Sequence, residues 1–496
     1  MTGIINTLDS FVTFLSTLPF SMGVVVLYTI DVILAIMIIF LEKKNPQATL
    51  AWIMVLFLLP VVGIVFYFLF SQNIAKRKMF RLSDSEEKLM DQMLERQKQE
   101  MKSDDFFIND AERDWQSMIA MNQKYAHADL SQNNIVDFFT DGNHKLDAML
   151  SDIANATNYI NIQYFILKND ITGQSLINAL TVKAKEGVRV RLLLDAMGSK
   201  QINNKLLLDY LDAGGKVGYF FPPFFRSLNI RFNYRNHRKL VVIDGEVGYI
   251  GGFNIANEYI GLKKKFGYWR DTHIRIRGDA LIYLNERFIR DWRNATKERL
   301  DIGLMFNVNR NVNGTTPMQI VSSGPDSYKE EVKHGYLKMI SGAKRRICIQ
   351  TPYFVPDSSI FDSLLTAANS GVDVKIMIPC MPDHIFVYWA TYYYCGLLLG
   401  AGVKVYIYNN GFLHAKTMTV DDEVCSVGSA NFDIRSFRLN FECNAFMYDV
   451  STARRMRDIF EEDMSYCKEL TRLEYKNRSR WIRFKERLAK LLSDIL

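Results

Sequence analysis

Cysteine is scarce in this sequence, and the few cysteines present all lie in the last third of the chain. They form no Cys-x-x-Cys pair and have no regular spacing, which argues against a disulfide framework or a zinc site. We therefore expect free thiols in a reducing compartment. The six residues are Cys348, Cys380, Cys395, Cys425, Cys443 and Cys467.

An excess of charge of one sign is also nearly absent. Among 496 residues, 61 basic and 54 acidic side chains leave a formal net charge of +7. This excess is too small to indicate a nucleic-acid partner, although it suits an anionic membrane surface. The chain is 48% hydrophobic and 13% aromatic, which excludes a disordered or low-complexity protein. Its length allows about three domains.

Two long apolar runs occupy the amino-terminal region, at about 22–41 and 50–70. The second run contains 21 residues without a charge, and at about 1.5 Å per residue it could span the roughly 30 Å hydrocarbon core. The first run contains Asp31, which we expect to face the other helix, lie near an interface or be protonated. The runs predict a two-helix transmembrane hairpin within a membrane-anchoring region, residues 1–72.

Basic residues flank these runs unevenly. Two lysines lie between them, at 43 and 44, whereas four basic residues follow the second run, at 76, 77, 78 and 81. The positive-inside tendency then predicts a multi-pass protein of the cell membrane with its catalytic part on the cytoplasmic side. Residues 73–130 have mixed charge and few aromatics, and they predict an exposed, charged linker.

From about residue 135 onward the sequence repeats itself, which indicates two lobes, 131–310 and 311–496. Short β-branched runs alternate with helical stretches in both, as is typical of an α/β sandwich with a largely buried mixed or parallel sheet. Two such lobes about a pseudo-twofold axis would bring equivalent residues together. Matching positions lie 187, 184 and 177 residues apart, at Gln163 and Gln350, Gly187 and Gly371, and His237 and His414.

Each lobe carries one copy of the pattern His-x-Lys-x4-Asp-x6-Gly-[Gly/Ser]-x-Asn. Alternate residues of a strand share a face, so the histidine and the lysine point the same way. One such pattern is weak, but two copies at identical spacing do not arise readily by chance. The copies are His237, Lys239, Asp244, Gly251, Gly252 and Asn254, and then His414, Lys416, Asp421, Gly428, Ser429 and Asn431.

Two imidazoles, two ammonium groups and two amides around one point predict a phosphate site with a nucleophile and an acid. One histidine attacks phosphorus and forms a phosphohistidine, while the other protonates the leaving alcohol and deprotonates the incoming one. A lysine beside each histidine repels divalent cations, so we expect neither a metal nor another cofactor. The phosphoryl oxygens are expected to contact Lys239, Lys416, Asn254, Asn431 and Ser429.

The motif aspartates, Asp244 and Asp421, belong to the same catalytic pattern. They come at a strand end, and we expect a structural role for them rather than direct contact with phosphate. Gly252 stands where the second copy has Ser429, so the first half has one hydroxyl fewer and the halves are chemically unequal. The five other histidines predict ordinary core or surface roles, with His273 as the best candidate for an exception.

The duplicated motif resembles that of the phospholipase D superfamily. With the amino-terminal hairpin and the segments NYRNHRK, YWRDTH and GSANFDIRSFRLNFE, the whole chain resembles the bacterial cardiolipin synthases. The resemblance implies a pseudo-twofold pair of α/β lobes that join two phosphatidylglycerol molecules into cardiolipin and release glycerol. It implies that a carboxylate after each motif orients the motif histidine, with Asp271 and Glu442 as the best matches and Glu258 as a weaker one. It also favours His237 as the nucleophile, with His414 as acid and base.

Three segments suggest how a lipid reaches the site. Residues 221–235 predict an interfacial aromatic loop, and residues 385–399 predict a packed helix or the wall of an acyl groove. Residues 477–492, with Trp481, Phe484, Leu488 and Leu491 at helical spacing, predict an amphipathic helix that lies on the membrane or packs on the second lobe.

Other functions compete with lipid transfer. The same motif is compatible with a phospholipase D-type hydrolase of phospholipids. A phosphodiesterase acting on nucleic acid is disfavoured by the hairpin, the aromatic loop and the small net charge, because such sites need an extended basic track. A non-enzymatic membrane scaffold is the least favoured function, because loss of a motif histidine would be its signature and both motifs are intact. We expect the protein to interact with phospholipid substrates and with the membrane, and not with nucleic acid. The sequence is compatible with a homo-oligomer.

Overall fold

The computed structural model describes residues 20–41, 46–59, 83–202, 204–222, 234–301 and 306–491, and residues 63, 67, 80, 303 and 493. The chain forms two compact units, Met1–Ile74 and Ala75–Leu496. The first contains the helices α1 (Phe20–Leu41) and α2 (Pro46–Leu58). None of the helices in the described ranges combines the length and the hydropathy of a membrane span. Most of the apolar run beyond residue 59 lies outside the described residues, as do residues 223–233 of the aromatic loop predicted over 221–235.

The second unit opens with helices in the segment expected to be an exposed linker: α3 (Asp84–Glu100), α4 (Asp110–Asp114) and α5 (Gln116–Ala126). Part of this segment is not exposed, because Trp115, Met118 and Ile119 are buried in the core of the second lobe. These apolar residues recur at helical spacing among charges, so they form a stripe that packs inward while the charged side chains stay in water.

The first lobe is built on a seven-stranded sheet. Its elements are β1 (Asn134–Phe139), α6 (Gly142–Ala154), β2 (Tyr159–Tyr164), α7 (Ile171–Lys185), β3 (Arg189–Asp195), α8 (Asn204–Asp212), β4 (Lys216–Phe220), β5 (Arg235–Asn236), β6 (Leu240–Ile243), β7 (Val247–Gly251), β8 (Trp269–Arg270), β9 (His273–Gly278) and α9 (Leu281–Thr296). The strand order is β1-β9-β7-β6-β2-β3-β4, with β2, β3 and β4 parallel. Every residue of β2 is buried, as expected for a sheet covered on both faces.

The second lobe repeats this topology in a nine-stranded sheet. Its elements are β10 (Met318–Ser323), α10 (Glu331–Gly342), β11 (Arg346–Gln350), β12 (Phe354–Val355), α11 (Ser358–Asn369), β13 (Asp373–Pro379), α12 (Ile385–Leu398), β14 (Lys404–Tyr408), β15 (Phe412–Leu413), β16 (Thr417–Val420), β17 (Val424–Gly428), β18 (Phe432–Asp433), α13 (Ile434–Arg438), β19 (Asn440–Met447), α14 (Val450–Met464), β20 (Cys467–Glu469), α15 (Arg472–Asn477) and α16 (Arg480–Leu491). Eight strands follow the order β10-β19-β17-β16-β11-β13-β14-β20, and the ninth, β5 of the first lobe, pairs with β19. The first seven strands correspond one by one to those of the first lobe, so the predicted duplicated α/β architecture with mixed sheets is confirmed.

Two short strand pairs join the lobes. Strand β5 of the first lobe lies parallel to the start of β19, and β8 lies parallel to β15. Directly after these pairs, the backbone N–H of His237 donates to the carbonyl of Phe441 over 2.9 Å, and that of His414 donates to the carbonyl of Arg270 over 2.6 Å. Each motif histidine is therefore positioned by backbone from the opposite lobe.

Candidate active site

Each motif histidine contacts a carboxylate from the opposite lobe. Nδ1 of His237 lies 3.1 Å from an oxygen of Glu442, and Nδ1 of His414 lies 2.5 Å from an oxygen of Asp271. This differs from the expected arrangement, in which each histidine uses the carboxylate that follows its own motif. The exchange results from the strand pairs that join the lobes. Asp271 follows β8, which pairs with β15 directly before His414. Glu442 lies on β19, which pairs with β5 directly before His237.

The carboxylates fix the tautomer of both rings. A proton on Nδ1 is donated to the carboxylate, which leaves the lone pair of Nε2 free for phosphorus. Burial, followed by the charge of Lys239, lowers the pKa of His237. Burial, followed by Lys416, lowers the pKa of His414 to about 4. Both imidazoles are therefore neutral near pH 7, as a nitrogen nucleophile requires.

Two fully buried lysines lie beside the histidines. Nζ of Lys239 donates to the carbonyl of His237 over 2.5 Å, and Nζ of Lys416 donates to the carbonyl of His414 and lies 3.9 Å from Asp271. Burial lowers the pKa of Lys239 to about 7 and that of Lys416 to about 8. An anion bound here would stabilise the ammonium forms, so binding an anion and taking up a proton are coupled.

This coupling predicts that anion affinity falls as the pH rises. Above the pKa of the empty site, each lysine must take up a proton to bind the anion, so the dissociation constant should rise about tenfold per pH unit for each such lysine. Calorimetric titration with tungstate, a phosphate analogue, from pH 6 to 9.5 in two buffers of different ionisation enthalpy would measure both affinity and proton uptake. Lys239→Met should reduce the slope, and equal affinity at pH 6 and 9 in the unaltered protein would contradict the prediction.

The asparagines of the motif line the same cavity as the histidines. Asn254 accepts from the backbone N–H of Ile166 over 3.1 Å and donates to the hydroxyl of Tyr259 over 3.0 Å. Asn431 donates to Ser436 over 3.2 Å, and its buried amide oxygen has no hydrogen-bond partner within the described part of the chain. The two amides are thus held in place next to the reaction centre.

Ser429 is placed differently from the sequence-based expectation of a phosphate contact. Its hydroxyl donates to Glu442 over 2.5 Å and accepts from the backbone N–H of Cys443 over 3.0 Å. At the equivalent position of the first lobe, a Cβ on Gly252 would lie 1.9 Å from a carboxylate oxygen of Asp271. The serine therefore supports the longer Glu442, whereas the glycine leaves room for the shorter Asp271.

The motif aspartates lie away from the histidines, at the far ends of β6 and β16. Asp244 accepts from the backbone N–H groups of residues 157–159 at 2.6–2.9 Å. Asp421 accepts from those of residues 344–346 at 2.6–2.8 Å. Both therefore hold the start of a neighbouring strand. Glu258 pairs with Lys168 rather than with a motif histidine.

A cavity of about 510 Å³ opens over the two histidines. Its wall includes four charged residues that the sequence analysis did not single out: Arg235, Asp383, Asp433 and Arg435. Their only signal in the sequence is proximity to a motif, since Arg235 precedes His237 by two positions and Arg435 follows Asn431 by four. The first turn of α12 also lines the cavity, so the predicted helix over 385–399 contributes to the wall at one end. Across the described ranges, no three His, Cys, Asp or Glu side chains are grouped as metal ligands would be.

Known proteins share this architecture and sequence. A family profile described as "Cardiolipin synthase, PLD-like domain" matches residues 149–292 and 336–464, and one described as "Phospholipase_D-nuclease N-terminal" matches residues 29–72. The chain is 48% identical over 474 residues to the major cardiolipin synthase of Bacillus subtilis (strain 168), covering 95% of this chain and 98% of that one. It is 45% identical over 471 residues to a cardiolipin synthase of Staphylococcus aureus (strain Mu50 / ATCC 700699), covering 95% of each.

A solved structure supports the fold. The phosphatidylserine synthase of Haemophilus influenzae Rd KW20 aligns with a TM-score of 0.59 at 16% identity, covering 78% of this chain and 100% of that one. At this identity the likeness concerns the arrangement of the two lobes and not the substrate.

Proposed function

The chain belongs to the cardiolipin synthase family of the phospholipase D superfamily, and from that premise we propose that it transfers a phosphatidyl group from one phosphatidylglycerol to a second, giving cardiolipin and glycerol. The observation that carries the proposal is the pair of carboxylate-bound histidines over one cavity, with a buried lysine beside each. This arrangement provides a nucleophile, an acid and positive charge for a phosphodiester.

In the first half-reaction, Nε2 of His237 attacks the phosphorus of the donor lipid, and the bond from phosphorus to the glycerol oxygen breaks. The imidazolium of His414 gives its proton to that oxygen, and glycerol leaves. The negative phosphate next to His414 raises its pKa from the low value of the empty site, so the ring can carry this proton. The product is a phosphatidyl group on His237, whose positive ring is stabilised by Glu442.

In the second half-reaction, a primary hydroxyl of another phosphatidylglycerol takes the place of glycerol. The neutral His414 accepts the proton of that hydroxyl as its oxygen attacks phosphorus, and the bond from phosphorus to Nε2 of His237 breaks. Lys239 and Lys416 stabilise the charge that gathers on the phosphoryl oxygens in both steps. This sequence assigns the nucleophile to His237 on family resemblance and needs no metal ion.

We test the reaction with purified full-length protein in mixed detergent micelles that contain phosphatidylglycerol labelled in its headgroup, with a chelator present. Cardiolipin and glycerol in equal amounts are the expected products. Phosphatidic acid in place of cardiolipin would assign a phospholipase D-type hydrolase. No lipid product at all would leave the nucleic-acid phosphodiesterase and the scaffold as the alternatives.

The membrane is part of the proposal because both substrates are lipids. We propose that the apolar runs at 22–41 and 50–70 form a transmembrane hairpin, with the catalytic unit on the cytoplasmic side. The match of residues 29–72 to an amino-terminal phospholipase D profile supports a conserved role for this region. The flanking basic residues support the orientation.

Helix α16 gives the catalytic unit a second contact with lipid. Its Ala489 is buried against α12, so one face packs on the second lobe. An apolar stripe on the helix nevertheless stays exposed, comprising Trp481, Phe484, Leu488 and Leu491. Basic residues surround the stripe, at 480, 483, 485, 487 and 490. Exposed apolar side chains within a cationic surface match an anionic bilayer, so we propose that this face lies on the membrane beside the cavity.

The double variant Trp481→Ser/Phe484→Ser is expected to raise the mole fraction of phosphatidylglycerol that gives half-maximal rate by about thirtyfold, because each ring loses roughly 1 kcal/mol of partial burial in lipid. The maximal rate should stay within about twofold, since neither ring touches the histidines. Rates measured against phosphatidylglycerol mole fraction at constant total lipid separate these quantities. The matched control is Leu473→Ser, an exposed leucine on α15 outside the stripe. An equal change in that control would refute a specific lipid contact.

A further inference from the structure

Two arginines from opposite lobes line the catalytic cavity. Arg235 lies on β5, opposite Asn440 of β19 in the parallel pairing that joins the lobes. Arg435 lies in the first turn of α13, two residues after Asp433, whose carboxylate accepts from the backbone N–H of Ser436 over 2.5 Å. Both side chains are half-buried and share the cavity wall with His237 and His414.

The guanidinium group of Arg435 acts on that of Arg235. Burial lowers the pKa of Arg235, Asp195 partly offsets this, and the charge of Arg435 lowers the pKa further. Burial also lowers the pKa of Arg435, which the charge of Asp433 partly offsets. Bringing two cations together in a partly dry cavity costs free energy, and an anion between them reverses the sign of that cost. Arginine is also the side chain whose planar array of donors best matches a phosphate.

The transferred phosphate does not account for these arginines. Its oxygens already have two buried lysines and two asparagine amides next to the histidines, and a phosphodiester carries a single negative charge. Cardiolipin, however, contains two phosphodiesters joined by one glycerol. An enzyme that makes it from two phosphatidylglycerols must therefore accommodate a second phosphate close to the reacting one.

The carboxylates that line the cavity are unsuited to that second phosphate. They are Asp433 and Asp383, of which Asp383 acts electrostatically on His414 and Lys416. Its carboxylate accepts a hydrogen bond from the hydroxyl of Tyr353, which also lines the cavity. A carboxylate repels a phosphodiester but accepts hydrogen bonds from glycerol hydroxyls. The lining of the cavity thus combines two arginines that can bind an anion with carboxylates that can bind hydroxyls.

We propose that Arg235 and Arg435 form a second phosphate subsite, which binds the phosphodiester of the acceptor lipid while its free hydroxyl attacks the phosphatidyl-enzyme. This inference rests on the proposed transfer reaction and adds the feature that selects a phosphorylated alcohol over a neutral one. The arginines act on the second half-reaction, after the donor headgroup has left.

The test lets two acceptors compete for the same phosphatidyl-enzyme. Full-length protein in micelles receives phosphatidylglycerol as donor, with radiolabelled glycerol and radiolabelled glycerophosphoglycerol as soluble acceptors in one tube. Both can take the phosphatidyl group, but only glycerophosphoglycerol carries the acceptor's phosphodiester. The ratio of the two labelled products does not depend on how much enzyme is active, so a partly misfolded variant still gives a valid result.

For Arg235→Gln/Arg435→Gln we expect this product ratio to fall at least about tenfold, because each charge-assisted hydrogen bond to phosphate favours the anionic acceptor by about that factor. Arg435→Lys, which keeps the charge, should retain part of the preference. Arg438→Gln is the matched control, because Arg438 lies on the same helix but is exposed and paired with Glu330. It should leave the ratio unchanged.

An unchanged ratio in the double glutamine variant would overturn the subsite. An equal fall in the Arg438→Gln control would overturn it as well, since the effect would then be one of general surface charge. Failure of the underlying function has a different signature, because the unaltered protein would then form no cardiolipin from phosphatidylglycerol alone.

Discussion

Replacing His237 by alanine is expected to lower cardiolipin formation by at least about a thousandfold, because the first half-reaction then has no nucleophile. The same variant should fail with phosphatidyl-p-nitrophenol, a donor whose leaving group departs without a proton. Release of nitrophenolate is followed by absorbance, and the phosphatidyl-enzyme is detected by mass spectrometry of the peptide that contains residue 237.

The matched variant is His414→Ala, which lowers the rate with phosphatidylglycerol by a similar factor for a different reason. It lacks the acid, but a nitrophenolate leaving group does not need one. We expect it to release about one equivalent of nitrophenolate per active site and then stop, with the phosphatidyl group on His237. If the burst and the modified peptide belong instead to the His237→Ala protein, with the label on His414, the two roles must be exchanged.

The sequence predicted the duplicated lobes and the grouping of the motif histidines and asparagines, because these depend on local patterns. Strands β2, β3, β6 and β7 follow directly from short β-branched runs. The expectation that each motif histidine and lysine share a strand was wrong, because residues 237–239 connect β5 to β6 and residues 414–416 connect β15 to β16. Both motif histidines and both motif asparagines lie on one cavity. Each of these features depends on a few consecutive residues and can therefore be recognised in the sequence.

The exchange of carboxylates between the lobes was not predictable from the sequence. His237 and Glu442 are 205 positions apart, and His414 and Asp271 are 143 positions apart. Their pairing depends on β5 lying beside β19 and β8 beside β15, and each of these contacts involves only two residues of each strand. Strand pairs this short leave no alternation of apolar and polar residues that could be recognised.

The role of Ser429 was missed for a related reason. A small polar residue in a glycine-rich turn predicts contact with a ligand, but whether its hydroxyl faces the ligand or a neighbouring strand depends on the register of β17 against β19. In the observed register Gly428 lies opposite Asn444, and the Ser429 hydroxyl reaches Glu442 instead. The difference between Gly252 and Ser429 then becomes a difference in how each carboxylate is held.

A serine at position 252 is expected to disturb the carboxylate that orients His414. In Gly252→Ser the added Cβ would overlap an oxygen of Asp271, which is fully buried. The displaced carboxylate would release His414, and loss of an orienting carboxylate lowers turnover by about 10² to 10⁴-fold. Because His414 protonates the leaving glycerol, the loss should be large with phosphatidylglycerol and much smaller for the nitrophenolate burst from phosphatidyl-p-nitrophenol.

The reciprocal variant, Ser429→Gly, is the matched control. It removes the serine hydrogen bond to Glu442, but that carboxylate keeps its contacts with Asn440 and His237. We expect roughly a tenfold loss, of similar size with both donors, because Glu442 orients the nucleophile, which every donor requires. If Gly252→Ser lowers the rates with both donors by the same factor, the substitution impairs the whole site, and the glycine does not serve to position the acid. Selective loss of the donor that needs protonation would instead assign the two sides of this unequal site to different steps of the reaction.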